Sequence, residues 1–453
     1  MSKKQRNYEM DMCEGPLVGK MLVFTLPLMF SGILQLLFNA ADTIVVGRYA
    51  GKEALAAVGS TSALINLLVN LFMGLSVGAN MLVSRYYGAK KEKDIGETVH
   101  TSIMVAAIAG VILAVVGNVF AKPLLLLMGS PADVVDLATL YVRIYFLGMP
   151  VNLVYNFGAA ILRAIGDTKR PLYYLATAGV VNVILNLFFV VGMDLSVAGV
   201  ALATVISQVI SVALLLRCMC KIEGSCRLEI KKLGLYKEKV RLLIRYGLPA
   251  GLQGSVFSFS NVLIQSSINS FGSVAMAGAS AASNVEGFTY VAMNSFQQTA
   301  LCFTSQNLGG GKVERISKVF RNSVLMVTVV GIVMGGGSYL LAEPLLGVFS
   351  SDAEVVAYGV ERMMWISLPY FLFGVMDVLV GMLRGLGYAM VPMAVSVIGV
   401  CGLRVVWIFT VFRQFQTLPV LYSSYMITWI ITGTVHTICY IVIWKKMKRR
   451  FYR

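Results

Sequence analysis

The chain has 453 residues, of which 57% are hydrophobic and only 13% are charged, and its mean hydropathy is +0.77. An average soluble domain carries about 25% charged residues, so this composition excludes a soluble globular protein and indicates an integral membrane protein. The net charge of +16 is found also in nucleic-acid-binding proteins, but the distribution of the basic residues favours a membrane topology instead.

Twelve apolar runs follow one another along the chain. A helix of about 20 apolar residues crosses a hydrocarbon core of about 30 Å, and the alternating ten-residue pattern of membrane barrels is absent from the sequence. The runs lie near 18–47, 54–83, 97–120, 134–162, 171–193, 197–219, 242–270, 274–304, 319–341, 355–383, 389–412 and 418–444. We therefore predict an all-α integral membrane protein with twelve transmembrane helices.

Lys and Arg residues are concentrated on alternate connections between these runs. They precede the first run, follow the second, fourth, eighth and twelfth, and fill the long connection between the sixth and the seventh. The members are Lys3, Lys4, Arg6, Lys20, Arg85, Lys90, Lys91, Lys93, Arg163, Lys169, Arg170, Lys221, Arg227, Lys231, Lys232, Lys237, Lys239, Arg241, Lys312, Arg315, Lys318, Arg321, Lys445, Lys446, Lys448, Arg449 and Arg450. Because basic residues are retained on the cytoplasmic side, we predict cytoplasmic termini, contact of the basic loops with membrane lipids, and no nucleic-acid partner.

The two halves of the chain repeat one another with an offset of 221 or 222 residues. The matching landmarks are Leu26-Pro27 with Leu248-Pro249, Ser84, Gly88 and Lys91 with Ser305, Gly309 and Lys312, and Leu162-Arg163 and Gly166 with Leu383-Arg384 and Gly387. Because each half has an even number of crossings, the repeats are parallel, and such transporters commonly hold their substrate between the repeats. We predict two pseudo-symmetric six-helix bundles, 1–220 and 241–453, joined by a cytoplasmic linker, 221–240.

The first predicted helix carries polar residues along one face. These residues, spaced by four and then by three, are Ser31, Gln35, Asn39 and Asp42. A charged side chain at the bilayer centre costs at least ~2.5 kcal/mol and usually faces a wet cavity, where it serves an ion or a proton. We predict that Asp42 couples transport to a cation or proton and that Gln35 and Asn39 line the substrate cavity. An acid that only stabilises the fold is the alternative.

The fourth, fifth and sixth predicted helices add neutral polar residues. Asn182 and Asn186 lie four apart in the fifth helix, and Thr204 lies in the sixth. Their oxygens are predicted to surround Asp42 and to serve the same ion or proton, whereas hydrogen bonds between packed helices are the alternative. Asn156 in the fourth helix is predicted to line the cavity.

The second half carries two further intramembrane acids, Glu286 in the eighth helix and Asp377 in the tenth. In the repeat, Asp377 corresponds to Asn156, and Asp42 corresponds to Ile264. Each half thus has an acid where the other has a neutral residue, which indicates different ionic tasks. We predict coupling roles for both acids. Substrate-cavity candidates of the second half lie on its first two helices; they are Asn261, Gln265, Tyr290 and Asn294.

Residues for catalysis or for a resident cofactor are not evident. The seven cysteines are scattered and the two histidines, His100 and His436, are isolated, so the spacing predicts neither a disulfide framework nor a metal cluster. A membrane-embedded enzyme, the alternative, would need clustered histidines or a nucleophile with its base. We predict no enzyme, no cofactor, and no metal beyond Na⁺ at Asp42 or Asp377.

Several segments together resemble the multidrug and toxic compound extrusion (MATE) family, within the superfamily that also contains lipid-linked oligosaccharide flippases. The resemblance extends from about Gly15 to Lys446. It is carried by Leu26-Pro27, Asn39-Ala-Ala-Asp42-Thr43, Leu162-Arg163-Ala-Ile-Gly166-Asp167-Thr168, Asn182-Val-Ile-Leu-Asn186, Ser305-Gln306-Asn307-Leu308-Gly309, and Asp377 with Leu383-Arg384-Gly385.

This resemblance implies a secondary active transporter in which two six-helix lobes open alternately to either side of the membrane. Such a protein exports organic cations or other amphipathic, drug-like compounds in exchange for inward Na⁺ or H⁺. The resemblance further implies that Asp42 is the first-helix acid of the N-lobe. Asn182 and Thr204 would be polar partners of this acid, and Asp377 would be the tenth-helix acid of a C-lobe cation site.

The chain departs from the family pattern at two positions. Some members have an acid where this chain has Asn186, and others have a seventh-helix acid where this chain has only Phe257 and Ser258 nearby. Both departures leave Na⁺ and H⁺ open as the coupling ion. Glu286 is the candidate replacement for the seventh-helix acid.

A lipid-linked oligosaccharide flippase is the alternative function on the same scaffold. It would favour a strongly basic cavity for a pyrophosphate, whereas the intramembrane cations of this chain are only Arg143, Arg362 and Arg404. Arg143 and Arg362 lie near helix entrances, where snorkelling to headgroups explains them. We therefore expect a drug transporter that acts as a monomer in the inner (plasma) membrane of a bacterium.

Overall fold

The computed structural model describes residues 8–128 and 134–451. The predicted basic residues Lys3, Lys4 and Arg6 lie outside this described part, and the side chain of Arg450 is likewise not described. The described residues form helices joined by short loops, with no strand among them.

Sixteen α-helices are present in the described residues. They are α1 Leu17–Val45, α2 Gly51–Gly88, α3 Glu92–Leu127, α4 Val135–Leu147, α5 Met149–Ala164, α6 Lys169–Asn186, α7 Ser196–Lys221, α8 Lys237–Asn269, α9 Ser273–Gly309, α10 Val313–Leu340, α11 Ala342–Gly347, α12 Ala353–Ile366, α13 Tyr370–Gly385, α14 Met390–Ser396, α15 Leu403–Trp407 and α16 Leu418–Phe451. Wider π turns follow α1, α6, α14 and α15; they are Val46–Ala50, Leu187–Gly192, Val397–Gly402 and Ile408–Phe412.

Ten of the predicted spans correspond to helices that are long and apolar enough to cross a membrane. Eight of them are continuous, and two are bent pairs: α4 with α5 at 48° and α12 with α13 at 47°. Each bend lies next to a proline, Pro150 or Pro369, which cannot donate the hydrogen bond that continues a helix. The prediction of an all-α membrane protein is confirmed.

The two remaining predicted spans correspond to α8 and α9, which are 33 and 37 residues long. Both helices are long enough to cross a bilayer, but they are not among the helices that are apolar enough by composition. Their sequences are rich in Ser, Asn, Gln and Gly. The two helices therefore carry more polar surface than the other predicted spans.

The chain divides into two compact units. The first comprises Phe30–Gly251 with the described residues of Met1–Asp11, and the second comprises Met12–Met29 with the described residues of Leu252–Arg453. This division differs from the predicted boundaries, because α1 and α8 each contribute their two halves to different units. In both helices the division falls shortly after a proline, Pro27 or Pro249.

The predicted linker, 221–240, belongs to the first unit. The backbone N–H of Glu229 donates to Nε2 of His100 at 3.0 Å, and the N–H of Tyr236 donates to the hydroxyl of Thr101 at 3.3 Å. Both acceptors lie on α3. The segment contains a 3₁₀ turn, Ile230–Lys232, and these contacts attach it to the bundle, so His100 has a structural role.

Glycines bring α2 and α8 into close contact within the first unit. Gly74 and Gly78 lie one turn apart on α2, and Gly247 and Gly251 lie one turn apart on α8. A Cβ atom on Gly74 would lie 2.0 Å from the backbone N of Gly251, and one on Gly78 would lie 2.8 Å from the N of Gly247. Small residues at a spacing of four allow such backbone contact between membrane helices.

In the second unit, α9 packs against α10, α12 and α13. A Cβ atom on Gly381 of α13 would lie 2.4 Å from the carbonyl oxygen of Gln297 on α9. The hydroxyls of Thr25 on α1 and Thr299 on α9 are hydrogen-bonded at 2.8 Å. The close approach at Gly381 holds Gln297 beside the middle of α13, where Asp377 lies.

The glycine contact predicts a selective loss of stability. Gly74→Ala places a methyl group inside the backbone of α8, so the helices must separate, and overpacking of this kind costs about 1–3 kcal/mol. We expect a lower midpoint of thermal unfolding, measured by fluorescence-detected size-exclusion chromatography in detergent. Gly336→Ala on α10 is the control, because its Cβ would meet nothing within 4 Å. Equal midpoints for the two variants would contradict the contact.

Candidate ion-coupling and substrate sites

Asp42 lies near the end of α1 and is joined to α6 and α7 by a chain of hydrogen bonds. Nδ2 of Asn186 donates to Oδ1 of Asp42. The same Nδ2 lies 3.3 Å from Oδ1 of Asn182, whose own Nδ2 donates to the hydroxyl of Thr204 at 3.4 Å. The structure thus brings together all four residues that the sequence analysis assigned to the first coupling site.

Two local features position this cluster. Asn182 and Asn186 lie on one face of α6 because they are four residues apart, and both are buried. One turn before Asn182, Gly179 leaves room for Phe38 of α1, since a Cβ there would lie 1.8 Å from the ring. The close approach of α6 to α1 lets Asn186 reach Asp42.

One oxygen atom of this cluster is available to bind a cation. Oδ1 of Asn186 is buried and has no hydrogen-bond partner, and it belongs to the residue that contacts the Asp42 carboxylate. Carboxylate and amide oxygens are ligands for hard cations, and a carboxylate also accepts a proton. The residues present therefore fit either Na⁺ or H⁺ as a transported ion.

Two tyrosines that the sequence analysis did not single out lie beside this site. Tyr141 and Tyr145 of α4 are close enough to Asp42 to interact with its charge, and their rings stack with centroids 5.9 Å apart. Their spacing of four on a predicted span was the available signal. They give the site an aromatic wall.

The other polar residues of the first unit have different surroundings. Gln35 and Asn39 are exposed on α1, as a surface that contacts solvent or substrate requires. Nδ2 of Asn156 donates to the carbonyl oxygen of Asn152 at 2.8 Å and to its Oδ1 at 3.0 Å. Asn156 is therefore hydrogen-bonded within its own helix, α5.

Asp377 is the centre of a second polar cluster, in the second unit. It is 7% exposed, and its Oδ1 accepts a hydrogen bond of 2.8 Å from Nε2 of Gln297 on α9. Its Oδ2 is buried and has no hydrogen-bond partner. Asn294 in turn donates to Oε1 of Gln297 at 3.3 Å. Asp377 thus has an oxygen available for a cation or proton.

Gln297 is a site residue that the sequence analysis missed. The residues predicted on this helix, Glu286, Tyr290 and Asn294, are four apart, whereas Gln297 lies three residues after Asn294. A spacing of three also places residues on one helix face, so this signal was present. Arg384 lies one to two turns after Asp377, interacts with its charge, and donates to Oε1 of Gln253 at 2.9 Å.

Glu286 lies in a different environment from the other two acids. Arg362 binds it in a bidentate ion pair, with Nε–Oε1 at 3.0 Å and the second nitrogen–Oε2 at 2.9 Å, and both residues are buried. The guanidinium also lies over the ring of Tyr422 at 5.5 Å. The expectation that Arg362 snorkels to headgroups is wrong, because the acid beside it holds its guanidinium in the interior.

The remaining candidates of the second unit are accessible. Asn261 and Gln265 are exposed on α8, and Nε2 of Gln265 donates to Oδ1 of Asn269 at 3.0 Å. Tyr290 is 47% exposed, and its ring packs on Phe373 with centroids 5.8 Å apart. These side chains present amide groups and an aromatic ring at the surface of the second unit.

Comparison with known proteins places this architecture in a family. The MatE family model matches residues 27–188 and again residues 249–410, which correspond to the two predicted repeats. The probable multidrug resistance protein YoeA of Bacillus subtilis is 30% identical over 393 residues, covering 85% of each chain. The probable multidrug resistance protein YpnP of the same organism is 26% identical over 394 residues, covering 87% of this chain and 88% of the relative.

Solved structures show the same fold. The outward-facing conformation of a multidrug resistance MATE family transporter of the MOP superfamily matches with a TM-score of 0.90, covering 99% of each chain at 20% identity. Because a single family model matches both halves and a relative is 30% identical along most of its length, this chain belongs to the MATE family of transporters.

Proposed function

We propose that this protein exports organic cations and other amphipathic, drug-like compounds in exchange for Na⁺ or H⁺ moving inward. The observation that carries the coupling part of the proposal is the Asp42 cluster, where a carboxylate and an unpartnered amide oxygen lie together in an apolar bundle. Export of drugs is supported by membership of the family and by the relatives, which are named probable multidrug resistance proteins.

Exchange follows from the charge of the Asp42 carboxylate. When Asp42 is ionised, its charge attracts an organic cation. Binding of Na⁺ or H⁺ compensates the same charge, so the ion and the drug favour opposite steps of one cycle. One charge that moves inward through 100 mV supplies about 2.3 kcal/mol, which is enough to accumulate an uncharged compound outside the cell by tens-fold. Export of a monovalent cation costs the same amount, so its accumulation depends on the concentration gradient of the ion or on a second ion.

Asp377 is the second coupling residue in this proposal. Its unpartnered Oδ2 gives it the capacity to bind a cation or proton, while Gln297 orients the other oxygen. Arg384 lies close enough to stabilise the ionised form, whereas no basic side chain among the described residues does so for Asp42. The two acids therefore present different local fields to the same ion.

Glu286 is not included among the coupling residues. A carboxylate that accepts both hydrogen bonds of a guanidinium is already compensated, and breaking a buried pair costs about 3–5 kcal/mol. Release of Glu286 in every transport cycle would require that cost each time. We assign Glu286 to the stability of the second unit.

Transport requires that the two lobes expose the substrate alternately to either side of the membrane. We place the protein in the inner membrane of a bacterium, with both termini and the basic loops in the cytoplasm, where those loops contact anionic lipids. One chain contains both coupling acids, so a monomer suffices for the cycle.

The coupling role of Asp42 is tested by ethidium efflux from proteoliposomes, with Na⁺ and pH gradients imposed separately. Asp42→Asn keeps the shape and the hydrogen bond but removes the charge, so we expect gradient-driven efflux to fall to the rate of protein-free liposomes. Asp194→Asn, at an exposed loop residue, is the matched control and should transport normally. Full efflux by Asp42→Asn would reject the role, and the gradient that drives the parent protein identifies the ion.

The same assay distinguishes the two acids. Asp377→Asn removes the second site and leaves the Asp42 cluster intact, because the two lie in different compact units. We expect Asp377→Asn to slow efflux and to change the number of ions moved per drug, measured from the reversal potential of transport. If efflux and stoichiometry both remain those of the parent protein, Asp377 has no coupling role.

The assignment of Glu286 is tested through its partner. Arg362→Met alone leaves a buried unpaired acid and should destabilise the protein by about 3–5 kcal/mol, whereas Glu286→Leu with Arg362→Met replaces the pair by apolar residues and should restore most of that loss. Thermal unfolding in detergent measures the stability of each variant. We expect the double variant to retain ion-driven efflux; complete loss of coupling in a stable double variant would return Glu286 to the coupling set.

A further inference from the structure

Arg404 is a buried cation that the proposed exchange does not use. It lies on α15, the short helical segment between the π turns Val397–Gly402 and Ile408–Phe412. Only 5% of the residue is exposed. π turns are rare in proteins and occur frequently at functional sites, and here two of them bracket a single charged residue.

The charge of Arg404 is not compensated by an acid. Its guanidinium lies over the ring of Tyr425, 4.0 Å from the centroid, and its Nε has no hydrogen-bond partner. No acid in residues 8–128 and 134–451 forms a salt bridge with it. Arg362 interacts with it as a like charge, and Arg362 is itself paired with Glu286. A buried guanidinium in this state is ready to bind an anion.

The internal repeat shows which residues of the first unit correspond to Arg404 and Tyr425. With the offset of 221 residues, Tyr425 corresponds to Thr204 and Arg404 to Val183, the neighbour of Asn182. The helices that surround Asp42 in the first unit are therefore matched by the helices that carry Arg404 and Tyr425 in the second. The first unit places an acid in this environment, whereas the second has Ile264 in place of that acid and adds a base.

We propose that Arg404, held by Tyr425, is a binding site for the carboxylate group of an amphipathic anionic or zwitterionic substrate. A guanidinium donates two parallel hydrogen bonds to a carboxylate, and the Tyr425 ring keeps its plane in a fixed orientation. The substrate range then extends beyond cations. The inference depends on the export of small amphipathic compounds, but not on the role of Asp42 or on the identity of the coupling ion.

The experiment measures binding of two dyes that differ only in this group. Rhodamine B carries a free carboxylate, and its methyl ester carries none. Each is titrated by fluorescence polarisation with the full-length protein purified in detergent, in the absence of any gradient. We expect Arg404→Gln to weaken rhodamine B by about tenfold or more, because hydrogen bonds to charged groups are strong, and to leave affinity for the methyl ester unchanged. Arg413→Gln, at an exposed arginine near the end of the same span, should change neither.

Two further outcomes decide the proposal. Unchanged binding of rhodamine B, or equal weakening of both dyes in folded protein, would overturn it. If Arg404→Gln does not fold, Arg404→Lys retains the buried charge but not the bidentate geometry, and selective weakening of rhodamine B is again the expected result. Repeating the titration in nanodiscs with and without phosphatidylglycerol separates substrate from lipid, since competition by this anionic lipid at Arg404 would show that a headgroup is the ligand.

Discussion

An unpaired charge inside a bundle of apolar helices costs several kcal/mol. The buried ionisable groups of this protein differ in how far a partner compensates their charge. Glu286 and Arg362 compensate each other's charge completely, because two hydrogen bonds join them. The charges of Asp377 and Arg404 are compensated only in part, since a buried polar atom of each has no hydrogen-bond partner. Beside Asp42, the amide oxygen of Asn186 likewise has no hydrogen-bond partner. In the proposed cycle, binding of an ion or a substrate completes the compensation at these places, and for this reason we place exchange there and not at the Glu286–Arg362 pair.

The duplication supplies a scaffold, and the charges make its halves different. Shared features are those that packing and topology require, such as the prolines of α1 and α8 and the bends of the fourth and tenth spans. Three ionisable residues inside the spans do not repeat: Asp42 corresponds to Ile264, Asp377 to Asn156, and Arg404 to Val183. A close backbone contact through glycines in the first unit is matched in the second by the Thr25–Thr299 hydrogen bond. Packing can thus be maintained by different residues, whereas in our proposal each charge determines which ligand its own unit binds.

The sequence was sufficient for the fold class and for the grouping of polar residues around Asp42, because both depend on periodicity along single helices. The spacing of Asn182 with Asn186 places both residues on the face of α6 that meets α1, and the helices do bring Asp42, Asn186, Asn182 and Thr204 together. The division of α1 and α8 between units could not be found this way, since a linear boundary at a loop is the simplest interpretation of a repeat. The sequence also did not reveal the partner of Glu286. Arg362 lies 76 residues away, and a contact between α9 and α12 leaves no periodic signal.

The π turns connect local geometry with these sites. All four in the described part of the chain lie within a few residues of a polar site residue: Val46–Ala50 follows Asp42, Leu187–Gly192 follows Asn186, and the last two flank Arg404. A π turn adds a residue to a helical turn, which changes the faces of the positions beyond it. In a helix without a π turn, the regular period fixes the angle about the helix axis between a polar residue and the residues that follow it. The turns after Asp42 and Asn186 end their spans, whereas Arg404 lies between two such turns of one span. The π turns therefore lie beside the polar residues of the candidate sites, in keeping with the frequent occurrence of such turns at functional sites.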